Sequence, residues 1–141
     1  MPRAAKLFYR IAAVLFLLFA AGHTAGFLTF RPAGAEARAV LEGMQSVHFN
    51  FGGSSATWTG FYTGFGLFVS AYLLFSTFLA WRLSYATAAE AAIGRTLAGT
   101  LFLVQLAIVA LCLIYFGFIQ AAFASACAVS VGLAALQTRP A

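Results

Sequence analysis

Four stretches of the chain are dominated by apolar residues, and polar residues gather in the gaps between them. The first stretch runs from Leu7 to Phe30, preceded by Arg3, Lys6 and Arg10 and closed by Arg31-Pro32. About 20 apolar residues cross the hydrocarbon core of a bilayer, so this stretch is long enough to span one. The basic start, the apolar segment Ile11 to Ala21 and the small residues after it also fit a cleaved signal peptide. Apolar character resumes through Ala25, Gly26, Phe27 and Leu28, which favours a retained span.

Residues 31–56 form the one long polar connection. Within it Val40, Leu41, Met44 and Val47 recur at helical spacing, with Glu36, Arg38, Glu42 and Gln45 between them. This pattern predicts a short amphipathic helix over 35–47, lying at the membrane surface or capping the bundle. Phe49 to Ser55, with Gly52-Gly53 at its centre, reads as a flexible turn. The second apolar stretch is bracketed by Trp58 and Trp81, roughly 35 Å apart along a helix. That separation suits aromatic anchors at the two faces of one bilayer, with Thr57 or Ser55 as helix cap and Arg82 and Tyr85 as further interface residues.

Residues 83–95 make a short connection carrying Glu90 and Arg95, and its alanine-rich part, Ala86 to Ala92, reads as already helical. From Thr96 to Leu136 no residue is charged. This is about twice the length of one span, so it folds back on itself. Gly117, among Tyr115, Phe116 and Phe118, marks the reversal. The pattern therefore predicts an all-α fold in one domain, residues 1–141: a transmembrane four-helix bundle with a short amphipathic helix in the first, outer connection. The spans are expected near 7–30, 58–81, 96–115 and 118–136.

Composition sharpens this reading. Hydrophobic residues make up 63% of the chain and charged residues only 8%, against about 25% charged in soluble domains. So few charges cannot cover a water-facing surface on a chain this small. The net charge of +5 could suggest nucleic acid, but that requires a clustered, solvent-facing patch. Here the positive residues sit at the ends of apolar stretches, so nucleic acid is excluded as a partner and the lipid bilayer takes its place. With the N-terminus in the cytoplasm, Arg3, Lys6, Arg10, Arg82, Arg95 and Arg139 all fall inside. Only Arg31 and Arg38 remain outside, offset by Glu36 and Glu42. This predicts a multi-pass protein of the inner membrane with both termini cytoplasmic. The two cysteines, Cys112 and Cys127, fall at depths about 8 Å apart. They read as small packing residues, beyond comfortable disulfide reach.

In lipid, helices associate through small residues and a few hydrogen bonds. Gly22 and Gly26 make one GxxxG pair, Gly60 and Gly64 another, at matching depth on the first two spans. The two glycine faces are expected to touch. Polar residues inside spans are costly and so are candidates for function. His23 stands out, flanked by Thr24, with Thr59, Tyr62 and Thr63 at similar depth on the second span and Gln120 at the start of the fourth. His48 and Glu42 could fold over the same mouth, giving an outward-facing polar pocket lined by Phe27, Phe61 and Phe65. His23 could equally bond a neighbouring helix, serve a ligand or proton transfer, or join a metal or haem site. The last wants three or four protein ligands, and two histidines with one glutamate specify no metal. Gln105 reads as an interhelical hydrogen-bond donor and Tyr72 as packing with one hydroxyl contact.

No carboxylate lies in any span, which argues against proton-coupled export. No phosphate loop, zinc-protease motif or nucleophile elbow is present. The stretches Gly22-His23-Thr24-Ala25-Gly26-Phe27 and Trp58-Thr59-Gly60-Phe61-Tyr62-Thr63-Gly64-Phe65-Gly66, with Met44, His48 and Phe49 between them, resemble a family of bacterial four-helix membrane proteins without an assigned activity. In size and helix number the chain also resembles the DoxX-type small membrane proteins. The resemblance implies the fold and the membrane location. Family members often carry an acid just after the tryptophan and a proline in the last hairpin. Thr59 or Gly60, and Gly117 or Phe118, stand there instead, which speaks against an acid-dependent role. No cofactor is specified. Two readings of function follow: a non-catalytic bundle that binds a membrane-protein partner or a second copy of itself, and a protein holding a lipid-like molecule or quinone through His23 and Tyr62. A transporter is the weakest reading.

Overall fold

The computed structural model describes residues 1–87 and 89–138. Five helices and one small hairpin follow in order: α1 (Arg3–Thr29), α2 (Ala35–Ser46), β1 (Phe49–Phe51), β2 (Ser54–Ala56), α3 (Trp58–Leu83), α4 (Ala91–Tyr115) and α5 (Phe118–Gln137). Of these, α1, α3, α4 and α5 are long and apolar enough to cross a membrane, the make-up of a multi-pass membrane protein. Their surfaces agree with that. Phe68, Phe118, Ile114 and Leu103 are all largely exposed, an arrangement that water would oppose and lipid would not.

The helix boundaries have local causes. Pro2 precedes α1, where a missing N–H costs nothing. Gly34, with φ of +89°, lets the chain enter α2 after Pro32. Thr57 caps α3: the Gly60 N–H donates to its hydroxyl at 3.1 Å. Gly117, with φ of +95°, makes the reversal between α4 and α5, a backbone conformation that side chains with a Cβ resist. Several hydroxyls inside the helices bond back one turn, as in Thr77 to Leu73 O and Ser130 to Ala126 O, which satisfies them within their own helix; the buried Thr59 hydroxyl has no partner among the described residues.

Two expectations need correction. Residues 49–56 are an antiparallel hairpin, with Phe49 opposite Ala56 and Phe51 opposite Ser54. Its two-residue turn places Gly52 and Gly53 at φ of +59° and +84°, the pairing that a tight hairpin of this twist demands. Phe49 and Phe51 are two residues apart and share a strand face. Both rings pack on Phe61, at 5.9 and 5.0 Å between centroids. Aromatic packing on α3 supplies what an isolated two-stranded hairpin lacks. The second correction concerns Ala86, Thr87, Ala89 and Glu90, which are not helical; α4 starts at Ala91. Arg139, assigned above to the cytoplasmic side, lies outside the described residues.

The chain divides into two compact units, Met1–Phe19 with Leu73–Ala141, and Ala20–Tyr72. In the first, Tyr9, Leu83, Ala98 and Ala134 form one buried cluster. Cys112, Ala121 and Ala124 form another, against Phe19, Ile108 and Val109. Alanine recurs here because close helix approach leaves no room for more. Gly132 takes this furthest: a Cβ there would lie 2.9 Å from the Phe102 ring. Both cysteines are free and buried. The second unit holds the C-terminal part of α1 and the N-terminal part of α3, together with α2 and the hairpin.

Candidate functional site

His23 is half-buried on α1 and its Nε2 lies 3.1 Å from the carbonyl oxygen of Gly66 on α3. A carbonyl can only accept, so the ring donates from Nε2. One residue on, the Thr24 hydroxyl lies 2.7 Å from the Ser70 hydroxyl, which itself donates to the same Gly66 carbonyl at 3.1 Å. Thr24 therefore donates to Ser70. Two side chains from two helices thus bond one backbone oxygen, and a third, Thr24, reaches it through Ser70. Phe27, one turn beyond His23, lays its ring across Gly66, and a Cβ at position 66 would sit 2.8 to 2.9 Å from three ring atoms. The ring is flanked by His23 at 5.1 Å and, edge-on, by Tyr62 at 6.4 Å.

Of the other expected site residues Tyr62 meets this cluster through its ring edge alone. Tyr62 is 50% exposed, and its hydroxyl has no hydrogen bond among the described residues. Thr63 is half-buried on the same helix. The exposed ring of His48 bonds locally, its Nδ1 2.9 Å from Ser46 O. Glu42 is exposed, and its backbone carbonyl accepts from the Ser46 hydroxyl within α2. Gln120 belongs to the other unit and is exposed. The geometry of His23 is that of a hydrogen bond to a neighbouring helix, one of the roles open to it.

The glycine pairs are also placed differently from expectation. A Cβ added at Gly22, Gly26 or Gly64 would meet nothing within 4 Å, and at Gly60 it would meet only the capping Thr57 hydroxyl. The two glycine faces do not touch. The cause is rotational register. A helix turns about 100° per residue, so Gly22 and Gly26 face about 100° away from His23 and Phe27. Gly64 faces about 160° away from Gly66. The contact is made instead by a histidine and a phenylalanine on α1 against a glycine and a serine on α3. Gly66 was the signal: it is the last residue of Gly64-Phe65-Gly66, outside the GxxxG spacing.

A second polar cluster, in the other unit, was not anticipated. The carboxylate of Glu90 accepts from both the N–H and the hydroxyl of Thr87, at 2.8 and 2.9 Å. Both residues lie ahead of the first turn of α4, whose N-cap is Glu90 itself, so the carboxylate closes the turn that leads into the helix. These hydrogen bonds, the backbone one first, hold the Glu90 carboxyl below its usual range, and the Arg82 charge adds to them. A carboxyl depressed in the folded state contributes its stabilisation above the ordinary carboxylate range and loses it as pH falls through the lower folded value. Amide exchange at Thr87 and in the first turn of α4 is expected to accelerate, beyond its intrinsic pH dependence, across that interval. Glu90→Gln should show no such step, and a featureless profile in the unaltered protein would contradict the assignment. Beside this turn are two concavities. A small one of about 50 Å³ is lined by Tyr9, Arg95 and Thr138 among others. An open groove of about 490 Å³ runs past Arg82, Glu90 and Leu97.

Comparison with known proteins finds no matching family model, no similar curated protein and no similar solved structure.

Proposed function

We propose that this chain is a non-catalytic protein of the bacterial inner membrane that works by associating with another membrane protein or with a second copy of itself. Both termini are cytoplasmic, and α2 lies along the outer surface. The observation that carries the reading is the open backbone at Gly22, Gly26 and Gly64, where nothing beyond the glycine's own stretch of helix comes within 4 Å of a Cβ position. Glycines at this spacing let a second helix approach closely in lipid, and this chain leaves them unused internally. The engagement of His23 with Gly66 O supports the non-catalytic part, since the histidine within the first span is spent on holding two helices together. The basic residues at one end of the spans support the orientation, and the resemblance to four-helix, DoxX-type proteins supports the location.

Cross-linking in intact membranes, followed by purification of a tagged chain, tests this. A defined partner or a dimer is expected. The variant carrying Gly26→Leu and Gly64→Leu should lose it while keeping the thermal stability of the unaltered chain to within about 0.5 kcal/mol. A chain that cross-links to nothing, or an association indifferent to both leucines, would refute the proposal.

A further inference from the structure

The groove of about 490 Å³ lies between the end of α3 and the start of α4. Its wall is apolar: Leu79, Ile93 and Leu97 line it, and Ile93 is 69% exposed. Its rim is cationic. Arg82 lines it directly, and Tyr85, also on the rim, carries the Arg10 guanidinium over its ring at 5.4 Å. Arg95 lines the smaller concavity, which shares Ala86, Thr87 and Gly94 with the groove. Against these three guanidiniums stands one carboxylate, Glu90, one oxygen of which accepts both bonds from Thr87. The balance at the rim is therefore positive.

Depth can be read from the neighbouring aromatics. Trp81 packs edge-on against Tyr85 at 5.7 Å, and both are about half exposed. Tryptophan and tyrosine of this kind sit at headgroup level. Arg82 follows Trp81 directly and so lies at the same level. Leu79, and Leu97 further along α4, lie on the hydrocarbon side of it. The groove thus offers a phosphate-binding charge at headgroup depth and an apolar channel leading into the membrane from it.

We propose that this groove holds an anionic phospholipid, its headgroup phosphate against Arg82 and one acyl chain along Leu79, Ile93 and Leu97. Guanidinium suits phosphate because it presents paired donors to two oxygens. Basic pockets between membrane helices are a known means of selecting headgroups. The inference rests on reading the helices as spans and is independent of the proposed partner.

The test uses the full chain, purified and exposed to mixed micelles containing phosphatidylglycerol or phosphatidylcholine. Native mass spectrometry reads the retained lipid and tryptophan fluorescence reads the groove. Phosphatidylglycerol is expected to be retained in preference to phosphatidylcholine. Arg82→Gln should weaken that retention about fivefold, the effect of one basic side chain near the membrane surface. Arg82→Lys should restore part of it, and Arg3→Gln, equal in charge but at a residue that does not line the groove, should change it little. Ile93→Trp should reduce retention of both lipids by filling the channel. Equal retention of the two lipids would overturn the proposal, as would equal losses from Arg82→Gln and Arg3→Gln. Displacement of the lipid by millimolar inorganic phosphate would also overturn it, since the site would then read phosphate and not an amphiphile. A chain that retains no lipid but still requires detergent leaves the membrane reading intact.

Discussion

Gly66→Leu is expected to unfold the α1–α3 contact of the second unit, while Gly64→Leu, two residues away, leaves the fold as it was. The two glycines stand on one helix in the same Gly-Phe-Gly run, so intrinsic helix propensity is nearly matched. What differs is the neighbour. At position 66 a Cβ would lie 2.8 Å from the Phe27 ring, and three ring atoms are within 2.9 Å. The side of the ring blocks the position, and it is held between His23 and Tyr62, so the whole ring must be displaced. Alanine is the better helix former by about 1 kcal/mol, whereas forced overpacking costs about 1–3 kcal/mol. Gly66→Ala is therefore expected to be destabilising by up to about 2 kcal/mol, and Gly64→Ala neutral or slightly favourable. Leucine at 66 adds three more carbons to the clash and also pushes His23 away from the carbonyl it bonds, so a loss of more than about 3 kcal/mol is expected. Thermal unfolding in detergent, followed by circular dichroism, measures the difference. Equal stabilities of the leucine variants at 64 and 66 would show that the ring does not rest where it is described.

The same pair of glycines shows where sequence reading stops. Run length and charge placement located all four long helices, because the hydrocarbon thickness sets a minimum length that composition alone reveals. The reversal at Gly117 was legible for a similar reason, since an uncharged segment of twice the needed length has to turn somewhere. Rotational register was not legible. A GxxxG pair marks a face on which a backbone could be approached, but nothing in the spacing says which partner takes it, and a helix apolar on all sides gives no amphipathic stripe to orient it. His23 and Thr24 were identified, but their partners, the Gly66 carbonyl and Ser70, carry no distinctive pattern. The hairpin at Phe49 to Ala56 was hidden by length: three-residue strands are too short for alternation to register, although Gly-Gly between Phe-x-Phe and a small-residue strand was its signature. The Thr87-x-x-Glu90 turn was passed over because the alanines around it favour helix, and the side-chain bonds to Glu90 start that helix later.

Gln105→Ala is expected to cost about 3 kcal/mol, and Gln105→Leu about 1 kcal/mol. Gln105 is wholly buried in α4, at 0% exposure, and its Nε2 donates to Ala124 O of α5 at 3.2 Å. Two effects compete at this position. Hydrogen bonds between membrane helices average about 0.6 kcal/mol and reach about 1.7, because an unfolded segment in lipid also finds partners. Deleting a buried side chain of this size leaves a cavity whose cost in close-packed interiors is about 2–5 kcal/mol. Leucine removes the hydrogen-bonding groups and keeps most of the volume; alanine removes both. The Ala124 carbonyl lies within α5 and keeps its own helical partner, so leucine does not strand that acceptor. Packing therefore outweighs polarity here, even though a buried amide in a membrane helix looks like a residue kept for its hydrogen bonds. The alanines opposite, Ala121 and Ala124, are themselves buried and too small to close the gap left by Gln105→Ala. Detergent unfolding of the two variants decides it, and a leucine variant as unstable as the alanine one would reverse the order and assign the stability of the α4–α5 pair to the amide.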